Sequence, residues 1–460
     1  MTKRVFFIVW VVFMVGCSRV HQREEAALPP LEVPPSYLSF RVDFPIQELA
    51  KGVNRILPGE LVDGVFPMGE KDSLYLKVNR KGPLDLYMKG DEFYAAIPLE
   101  VSAAVRKKVL GITLSNKESP VVFHGKIKAS TSVAVAPNWS LDLACTYRGF
   151  ELTDSPELSL MGMTFNVEEL IETALQSHEE ELSNVICRAL DHVIDFRQLV
   201  DKVWSDLQNP IRVARSPQPF WLYSRPLALN GVVIPGGSGT LSIHLEYRTR
   251  LQISPELSPV TEKVQLGDCG EPLNTRNTIA AYTELYLPFE MLTHLMQQEL
   301  AGKTFTYEDY TLLVEQARVN RKGQKLLVAL DVSGDITGKV LVTGTPTIND
   351  NRELTISDFK YEIEAEDDWV KLTDWAVHSL AEQYIADQAR LDTRPFFRQL
   401  DQLIMQGLRK SDLAEKLDVD LVFQKIDSYQ LRMTETYIQW IFYLEGSSSV
   451  TLKSGLFKKR

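Results

Sequence analysis

The chain has 460 residues, of which 44% are hydrophobic and 24% charged, so it is long enough for two or three domains with buried cores. It carries 61 acidic and 50 basic residues, a formal net charge of −11, and no basic run is longer than the terminal Lys458-Lys459-Arg460. A chain of this composition is not expected to bind nucleic acid, nor to recognise anionic lipid headgroups by charge.

The N-terminus has the layout of a secretory signal peptide, which we place at residues 1–16. Two basic residues, Lys3 and Arg4, precede an apolar run at residues 5–16. A membrane-spanning helix needs about 20 apolar residues, so this run is too short to span. We expect it to be removed on export, and because Lys3 and Arg4 leave with it, the net charge of −11 becomes about −13.

The tetrapeptide Met14-Val15-Gly16-Cys17 resembles the lipobox of bacterial lipoproteins. In those proteins the chain is cut before the cysteine, and the new terminal cysteine receives acyl chains that anchor it to a membrane. The resemblance implies that Cys17 is the lipid attachment site, and Ser18 is typical of lipoproteins of the outer membrane that face the periplasm. The alternative is an ordinary signal peptide in which Cys17 is incidental.

Residues 17–36 predict an extended tether between this anchor and the folded body. They are polar, contain several prolines and lack the periodicity of a helix or a strand. At about 3.1 Å per residue such a segment reaches roughly 60 Å. The folded body can therefore stand well away from the membrane.

The remaining cysteines do not suggest a disulfide framework. They are Cys145, Cys187 and Cys269, without any CxxC pair. At most one disulfide can form within this set, and the sequence does not say which. We therefore expect the apolar core to hold the fold together.

A strand that runs into a proline-started helix occurs twice. Apolar and polar residues alternate up to Pro45 in the first occurrence and up to Pro288 in the second. After each proline, apolar residues recur at the spacing of an amphipathic helix. These residues are Ile46, Leu49, Val53 and Ile56 in the first helix, and Phe289, Leu292, Leu295 and Met296 in the second.

Each occurrence is followed by strand-like runs and then by a long helical pattern. The first long helix is predicted over 166–208, and the second over 368–408, where Pro395 is expected to break it. Both patterns contain the tetrapeptide Phe-Arg-Gln-Leu, at residues 196–199 and 397–400. The matching order predicts an internal duplication with a shorter second copy.

A glycine-rich stretch, PGGSGT at residues 235–240, separates two strand-like runs between the copies. It lacks the final glycine of the GxSxG nucleophile elbow, and no GK[ST] follows to make a phosphate-binding loop. We therefore predict a hairpin turn.

The predicted fold class is α+β, with two tandem modules, each a curved antiparallel sheet wrapped around a long amphipathic helix. Such a sheet encloses an elongated apolar space, which is either a filled core or a hollow tunnel. The predicted segments are the signal peptide (1–16), the lipidated tether (17–36), the first module (37–210), connecting strands (211–280), the second module (281–410) and C-terminal strands that join the modules (411–460).

The lipobox ending at Cys17, the chain length, the strand-proline-helix opening and the strand-rich duplicate together resemble a family of bacterial lipoproteins, domain of unknown function 4403. That family is similar to the tubular lipid-binding (TULIP, BPI-like) superfamily, in which a curled sheet wraps a long helix and paired modules hold acyl chains in an apolar groove. The resemblance implies a TULIP-like fold and a lipid ligand. It carries over no functional residue except Cys17.

Two histidines of the first long helix are candidate metal ligands. His178 and His192 are fourteen residues apart, so they lie near one face of the helix. Glu181 comes three residues after His178, and Asp195 comes three residues after His192. The HExxH pattern of zinc enzymes is absent, because Leu182 stands where its second histidine would be. We expect solvated histidines, and we predict neither a metal nor a cofactor.

The rest of the sequence gives little indication of a metal site or of catalytic activity. The acidic stretch at 362–368 lacks the spacing and the glycine of a calcium-binding EF-hand loop. No serine or cysteine stands in an activating context, so a Ser-His-Asp hydrolase is the weakest hypothesis and we expect no enzyme activity.

The C-terminal aromatic residues have two interpretations. In the strand-like run near the C-terminus, Trp440 and Phe442 share one face and Tyr437 lies on the other. Together with Trp369 and Trp375 they either pack the core or line a ligand site.

The leading hypothesis is an acyl-anchored envelope lipoprotein of the outer membrane that binds a lipid or another elongated apolar ligand, with transport as an extension. Candidate lining residues are Leu49, Val53, Leu292 and Met296, which are equally suited to a filled core. The alternative is an envelope scaffold with packed modules that acts through a protein partner. The identity of the ligand and the oligomeric state are open.

Overall fold

The computed structural model describes most of the chain from residue 32 onward. Cys17, His178, Trp369 and Trp375 lie outside the described residues. None of the helices in the described part combines the length and the apolar composition that crossing a membrane requires. The described residues are 32–68, 72–89, 92–110, 112–154, 158–160, 163–176, 179–193, 195–214, 218–234, 239–257, 262–307, 310–335, 337–348, 353–365, 391–392 and 394–453.

The fold is mostly sheet with a smaller share of helix. The helices are α1 (Ile46–Ile56), α2 (Val167–Gln176), α3 (Glu179–Val193), α4 (Phe196–Leu207), α5 (Phe289–Leu300) and α6 (Arg394–Arg409), with a 3-10 turn at Asp412–Glu415. The strands of the N-terminal part are β1 (Ser36–Pro45), β2 (Glu60–Pro67), β3 (Ser73–Arg80), β4 (Asp85–Lys89), β5 (Glu92–Val109), β6 (Ile112–Ser115), β7 (Val121–Val135), β8 (Leu141–Leu152), β9 (Leu158–Leu160) and β10 (Met163–Phe165). Those that follow are β11 (Ile211–Ala214), β12 (Phe220–Ile234), β13 (Thr240–Ser254), β14 (Thr278–Pro288), β15 (Thr304–Tyr307), β16 (Tyr310–Lys322), β17 (Lys325–Gly334), β18 (Gly338–Ile348), β19 (Glu353–Ala365), β20 (Leu391–Asp392), β21 (Leu417–Met433) and β22 (Tyr437–Leu452).

Both predicted strand-proline-helix units are present. β1 ends at Pro45 and α1 follows directly, while β14 ends at Pro288 and α5 follows. Each proline is the N-cap residue of its helix, a place where a fixed φ is useful and no amide donor is needed. Ile56, predicted on the buried stripe of α1, is exposed instead. The helix ends at Ile56, and the next residue, Leu57, turns into the core.

A central sheet of seven strands, in the order β11-β12-β13-β1-β14-β22-β21, draws on both halves of the chain. β1 is antiparallel to β13 over its whole length, and β14 is antiparallel to β22 over its whole length. The two strands that carry the prolines lie side by side, with Leu38 opposite Ile279. The hairpin predicted around the glycine-rich stretch is present, because β12 and β13 pair up to Ile234 opposite Ser242.

The first sheet is built from β2-β3-β5-β7-β8, with β4 and β6 paired to β5. Its strands alternate buried and exposed residues, as expected for a sheet with one covered face. Helices α1 to α4 supply apolar residues to the core on that face, among them Ile171, Leu175, Phe196 and Trp204. One core therefore holds the first sheet, its helices and part of the central sheet together.

The second sheet is a meander of six strands, β15 to β20, each paired to the next. Helix α5 lies against it, and Phe289 at the start of α5 is buried in its core. Among the described residues the second core has fewer buried members than the first, and a larger share of its members is only half-buried.

The single long helix predicted over 166–208 is wrong in one respect, because the segment contains separate helices. α4 begins at Phe196, and Asp195 before it has a non-helical ψ of 73°. The Asp195 side chain accepts a hydrogen bond from the Gln198 backbone N–H at 3.0 Å, which caps the new helix. The apolar stripe continues across this break, so its spacing alone could not reveal it.

The second long helix was predicted to break at Pro395, and the described residues do show an interruption there, because β20 ends at Asp392 and α6 begins at Arg394. Pro395 is the second residue of α6, so it starts a helix rather than ending one. The repeated tetrapeptide opens α4 in the first half and lies within α6 in the second. Residues 366–390 of the predicted helix lie outside the described residues, and the duplication and the module boundaries stay predictions.

Candidate functional site

Leu49 and Val53, the first pair of predicted lining residues, are part of a filled core. They lie on the inner face of α1 and are 1% and 0% exposed. Both belong to the core that α1 shares with the first sheet and with helices α2 to α4. A side chain without accessible surface does not border a space that a water molecule can enter, so this pair has no room for a ligand beside it.

Leu292 and Met296 occupy the same positions on α5, four and eight residues after the proline, but they are only half-buried. They pack against the core of the second sheet. Phe289 and Met291, on the same helix, are buried. The two helices therefore differ in how completely their apolar stripes are covered.

The second sheet presents one continuous apolar face toward this helix. The register places Val319 opposite Val328, and Val342 opposite Tyr361, so that apolar side chains of four neighbouring strands share the face. We call it the second apolar face, and it consists of Ala317, Val319, Leu326, Val328, Leu330, Val340, Val342, Phe359, Tyr361 and Ile363.

Within the part of the chain that the structure describes, the second apolar face is only partly covered. Val328, Val340 and Val342 on its central strands are buried, whereas Leu330 and Tyr361 remain half-buried. Apart from Phe442 of the central sheet, the largest fully buried side chains in the described chain all belong to the first half. Since half-buried aromatic and branched side chains keep apolar area in reach of solvent, this face can bury an additional apolar group.

Charge is confined to the edge and to the back of the second sheet. Arg321 sits at the edge of the apolar face, opposite Leu326, and its guanidinium is 3.8 Å from the carboxylate of Glu435. On the back of the sheet Arg318 and Asp331 form an ion pair at 3.0 Å. The site therefore combines an apolar floor with one cationic group at its rim.

One disulfide bond links a strand to a helix in the first half of the chain. Cys145 on β8 is bonded to Cys187 on α3, and it ties a helix to the sheet that the helix covers. Cys269 is a free, half-buried thiol, and burial raises its pKa. The sequence limited the number of disulfides to one, but the pairing came only from the fold, because a separation of 42 residues forms no motif.

A polar cluster is buried on the face of β13 that points away from the first core. Glu246 accepts hydrogen bonds from the Leu273 backbone N–H at 3.0 Å and from the Asn230 side chain at 3.4 Å. His244 beside it is fully buried, and neither ring nitrogen has a hydrogen-bond partner among the described residues. Burial lowers the pKa of His244, against smaller raising effects of Glu246 and of the Asn274 backbone. The ring is therefore neutral at pH 7.

The described histidine side chains offer no metal site. No group of three His, Cys, Asp or Glu side chains in the described part is arranged to hold a metal ion. His124 has a carboxylate at each ring nitrogen, Asp154 at 2.6 Å and Glu100 at 3.7 Å, which leaves neither nitrogen for a hydroxyl or thiol. The structure gives no description of the His192 side chain.

Two of the C-terminal aromatic residues, Trp440 and Phe442, are core, as one of the two interpretations held. Trp440 and Phe442 lie on one face of β22 and are buried together, with ring centroids 6.5 Å apart. Tyr437 lies on the other face and packs on Tyr286. Trp440 and Phe442 belong to a different core cluster from the second apolar face, whereas Ile438 of the same strand packs in the core of the second sheet.

Comparison with known proteins places the chain in a family. A crystal structure of lipopolysaccharide binding protein is similar over 91% of this chain and 99% of that chain, with 13% sequence identity and a TM-score of 0.30, which is too low to support an argument about fold or ligand. No curated protein matches the chain. Residues 34–452 match the family described as Domain of unknown function (DUF4403). Because that match spans nearly the whole described chain, the protein belongs to the DUF4403 family, as the sequence resemblance implied.

Proposed function

We propose that this protein is an acyl-anchored lipoprotein of the bacterial envelope that binds a lipid or another elongated apolar ligand on the second apolar face. The observation that carries the proposal is the incomplete cover of that face. Leu330 and Tyr361 stay half-buried where the corresponding region of the first half is filled. The first half supplies a rigid body, and the second supplies the binding surface.

Burial of apolar area provides the binding energy. Each Å² of apolar surface removed from water contributes about 25 cal/mol, and each buried methylene contributes about 0.8 kcal/mol. Because no charged side chain lies within the second apolar face, binding depends on the length of the apolar chain more than on its chemistry. Arg321 at the rim can place a negatively charged headgroup at the edge.

The cellular location belongs to the same proposal. The leader at residues 1–16 and the lipobox ending at Cys17 support export, acylation and an outer-membrane anchor facing the periplasm. The disulfide between Cys145 and Cys187 supports an oxidising compartment, because disulfides persist in the periplasm and are rare in the cytosol.

We also propose that the chain arose by duplication into two tandem modules. In each half a strand-proline-helix unit precedes a sheet, then a helix with the repeated tetrapeptide, and finally a pair of long antiparallel strands. The two pairs, β12–β13 and β21–β22, flank β1 and β14 in the central sheet.

Native mass spectrometry tests the ligand. The body from Ser18 onward is exported to the periplasm with a cleavable tag and purified without detergent. Circular dichroism checks that it is folded, and an organic extract of the purified protein is then analysed for lipids. We expect a near-stoichiometric lipid. A folded protein that is empty, and stays empty after incubation with lipid extract, would contradict lipid binding.

Matched variants locate the lipid. Leu330→Trp adds bulk to the second apolar face and should reduce the lipid content. Leu313→Trp adds the same bulk on β16 at a position 37% exposed, facing Ser333 on the back of the sheet, and should leave the lipid content unchanged. Loss of lipid from both variants, or from neither, would place the ligand elsewhere.

A scaffold that acts through a protein partner is the second candidate. The filled core around Leu49 and Val53 favours it, because a packed module has no interior to offer. An empty, well-folded protein in the mass spectrometric experiment is the result that this candidate predicts.

A further inference from the structure

The first sheet carries a hairpin that projects beyond its neighbouring strands. β5 pairs with β7 only as far as Ala103 and with β3 only as far as Arg106. Beyond that point β5 has β6 as its partner, from Arg106 opposite Ser115 to Val109 opposite Ile112. We call residues 106–109 and 112–115, with Leu110 between them, the projecting hairpin. At about 3.3 Å per residue its arms extend on the order of 10 Å past the sheet.

Apolar side chains stand at the tip of the projecting hairpin. Leu110 is 99% exposed and Ile112 is 66% exposed, the former being the most exposed large apolar residue of the described chain. Leu110 also has a φ of +50°, a backbone conformation that leucine adopts rarely. A leucine at this position has no packing role among the described residues and costs backbone strain, and an apolar partner outside the chain would account for both.

Positive charge is concentrated just behind this tip. Arg106, Lys107 and Lys108 precede it and Lys117 follows, whereas two carboxylates lie nearby: Asp72, which accepts a hydrogen bond from the Lys108 backbone N–H at 2.9 Å, and Glu118. Lys117 lies over the ring of Tyr75, with its ammonium 4.4 Å from the ring centroid, which holds it beside the base of the hairpin. This local excess of cations occurs in a chain with a net charge of −11, so the overall composition, which argued against recognition of anionic headgroups by charge, does not describe this part of the surface.

We propose that the projecting hairpin is a membrane contact, which inserts its tip into the surface of a bilayer that contains anionic phospholipids. Leu110 and Ile112 would enter the boundary between headgroups and acyl chains, while the lysines and Arg106 meet the headgroup phosphates. The apolar tip and the cationic base are the two parts that binding at a bilayer surface requires. The site is separate from the second apolar face and from Cys17, so it does not depend on the proposed function.

The test uses the full chain, inserted through its N-terminus into vesicles whose acyl chains carry bromine, a quencher of tryptophan fluorescence. Leu110→Trp places a reporter at the tip. Leu273→Trp places one at a residue 76% exposed in the loop after β13, as the matched control. The vesicles are phosphatidylcholine alone or phosphatidylcholine mixed with phosphatidylglycerol, and quenching is compared with that of the parent chain.

We expect additional quenching for L110W in the anionic vesicles, weaker quenching in the neutral ones, and loss of the effect at high salt. Lys108→Gln in the same background should lower the insertion equilibrium about fivefold, as expected for one basic residue near an anionic surface. Lys126→Gln, an exposed lysine on β7 away from the tip, should have no effect.

Two results would overturn the proposal. If L110W is quenched no more than L273W, the tip does not enter the bilayer, and a protein becomes the occupant to look for. If L110W is quenched equally in both kinds of vesicle, the cations have no part in binding. Circular dichroism of each variant confirms that the fold is intact, so that loss of quenching reports contact rather than unfolding.

Discussion

Leu49 and Leu292 stand at the same place on α1 and α5, yet their surroundings differ. The first is enclosed by packed side chains, and the second is half-buried against a sheet with uncovered apolar area. Truncating an enclosed side chain leaves a cavity, whereas truncating a half-buried one leaves a surface depression that solvent fills. The difference between the two positions is therefore measurable as a difference in stability.

We expect Leu49→Ala to lower the free energy of unfolding by about 2–5 kcal/mol, the usual range for an enclosed leucine. Leu292→Ala should cost less than half as much, because less area is buried to begin with. Urea denaturation of the ligand-free body measures both. Equal losses would mean that the second half is packed as tightly as the first, and would remove the basis for a ligand site there.

His244 makes stability depend on pH. An unfolded histidine has a pKa near 6.5, and burial holds the pKa of His244 below that in the folded protein. The unfolded chain therefore binds more protons in mild acid, so the contribution of His244 to stability is complete above about pH 6.5 and is lost as the pH falls. Between about pH 7.5 and about pH 5.5 we expect the loss of stability to be smaller in His244→Gln than in the parent. An unchanged pH profile would contradict a buried, neutral His244.

At the scale of secondary-structure elements, the disulfide fixes α3 to the sheet it covers. The bond closes a loop with a sequence separation of 42 residues. By the chain-entropy estimate, a loop of this length contributes about 3–4 kcal/mol to stability. Cys145→Ala with Cys187→Ala should lose that amount in urea denaturation, and a reducing agent should destabilise the parent but not the double variant. If the reducing agent has no effect on the parent, the bond does not form.

The elements also show how far sequence reasoning reached. The proline-started helices were predictable, because proline fixes the backbone that a first helical turn needs. The break within the helical segment 166–208 was not predictable. An apolar stripe shows which side of a helix is buried, but it does not show where a capping residue such as Asp195 ends one helix and starts another. The projecting hairpin was not predictable from the sequence. A run of three basic residues does not by itself indicate a hairpin, and only the pairing of β5 with β6 shows that Leu110 lies at a tip.

The candidate site could not be located from the sequence alone, because it depends on which elements pack together in the folded chain. Leu49, Val53, Leu292 and Met296 were correctly placed on inward-facing helix positions, but the sequence could not say which pair is enclosed. Enclosure depends on the elements that pack on each helix in the folded chain, mainly α3 and β4 on α1 and β16 on α5. The second apolar face is a property of the register among β16 to β19.

At the scale of the whole molecule, a bound lipid should stabilise the fold. A ligand that binds only the folded state adds RT ln(1 + [L]/Kd), about 2.7 kcal/mol at a hundredfold excess over Kd. We expect removal of lipid by organic solvent or cyclodextrin to lower the Tm, and readdition to restore it. Leu330→Trp should show a smaller response than Leu313→Trp. A Tm that does not respond to lipid in either variant would contradict the proposed ligand.

The central sheet constrains when the chain can fold. β1 lies near the N-terminus, but its main partner is β13, and its Val42 also pairs with Val450 near the opposite end. β1 can therefore pair with β13 once about half of the chain has been synthesised, but its contact with β22 requires almost the entire chain. Pairings between such distant segments form slowly. A nascent chain of this topology therefore cannot complete its central sheet while its last described strand, β22, is still missing.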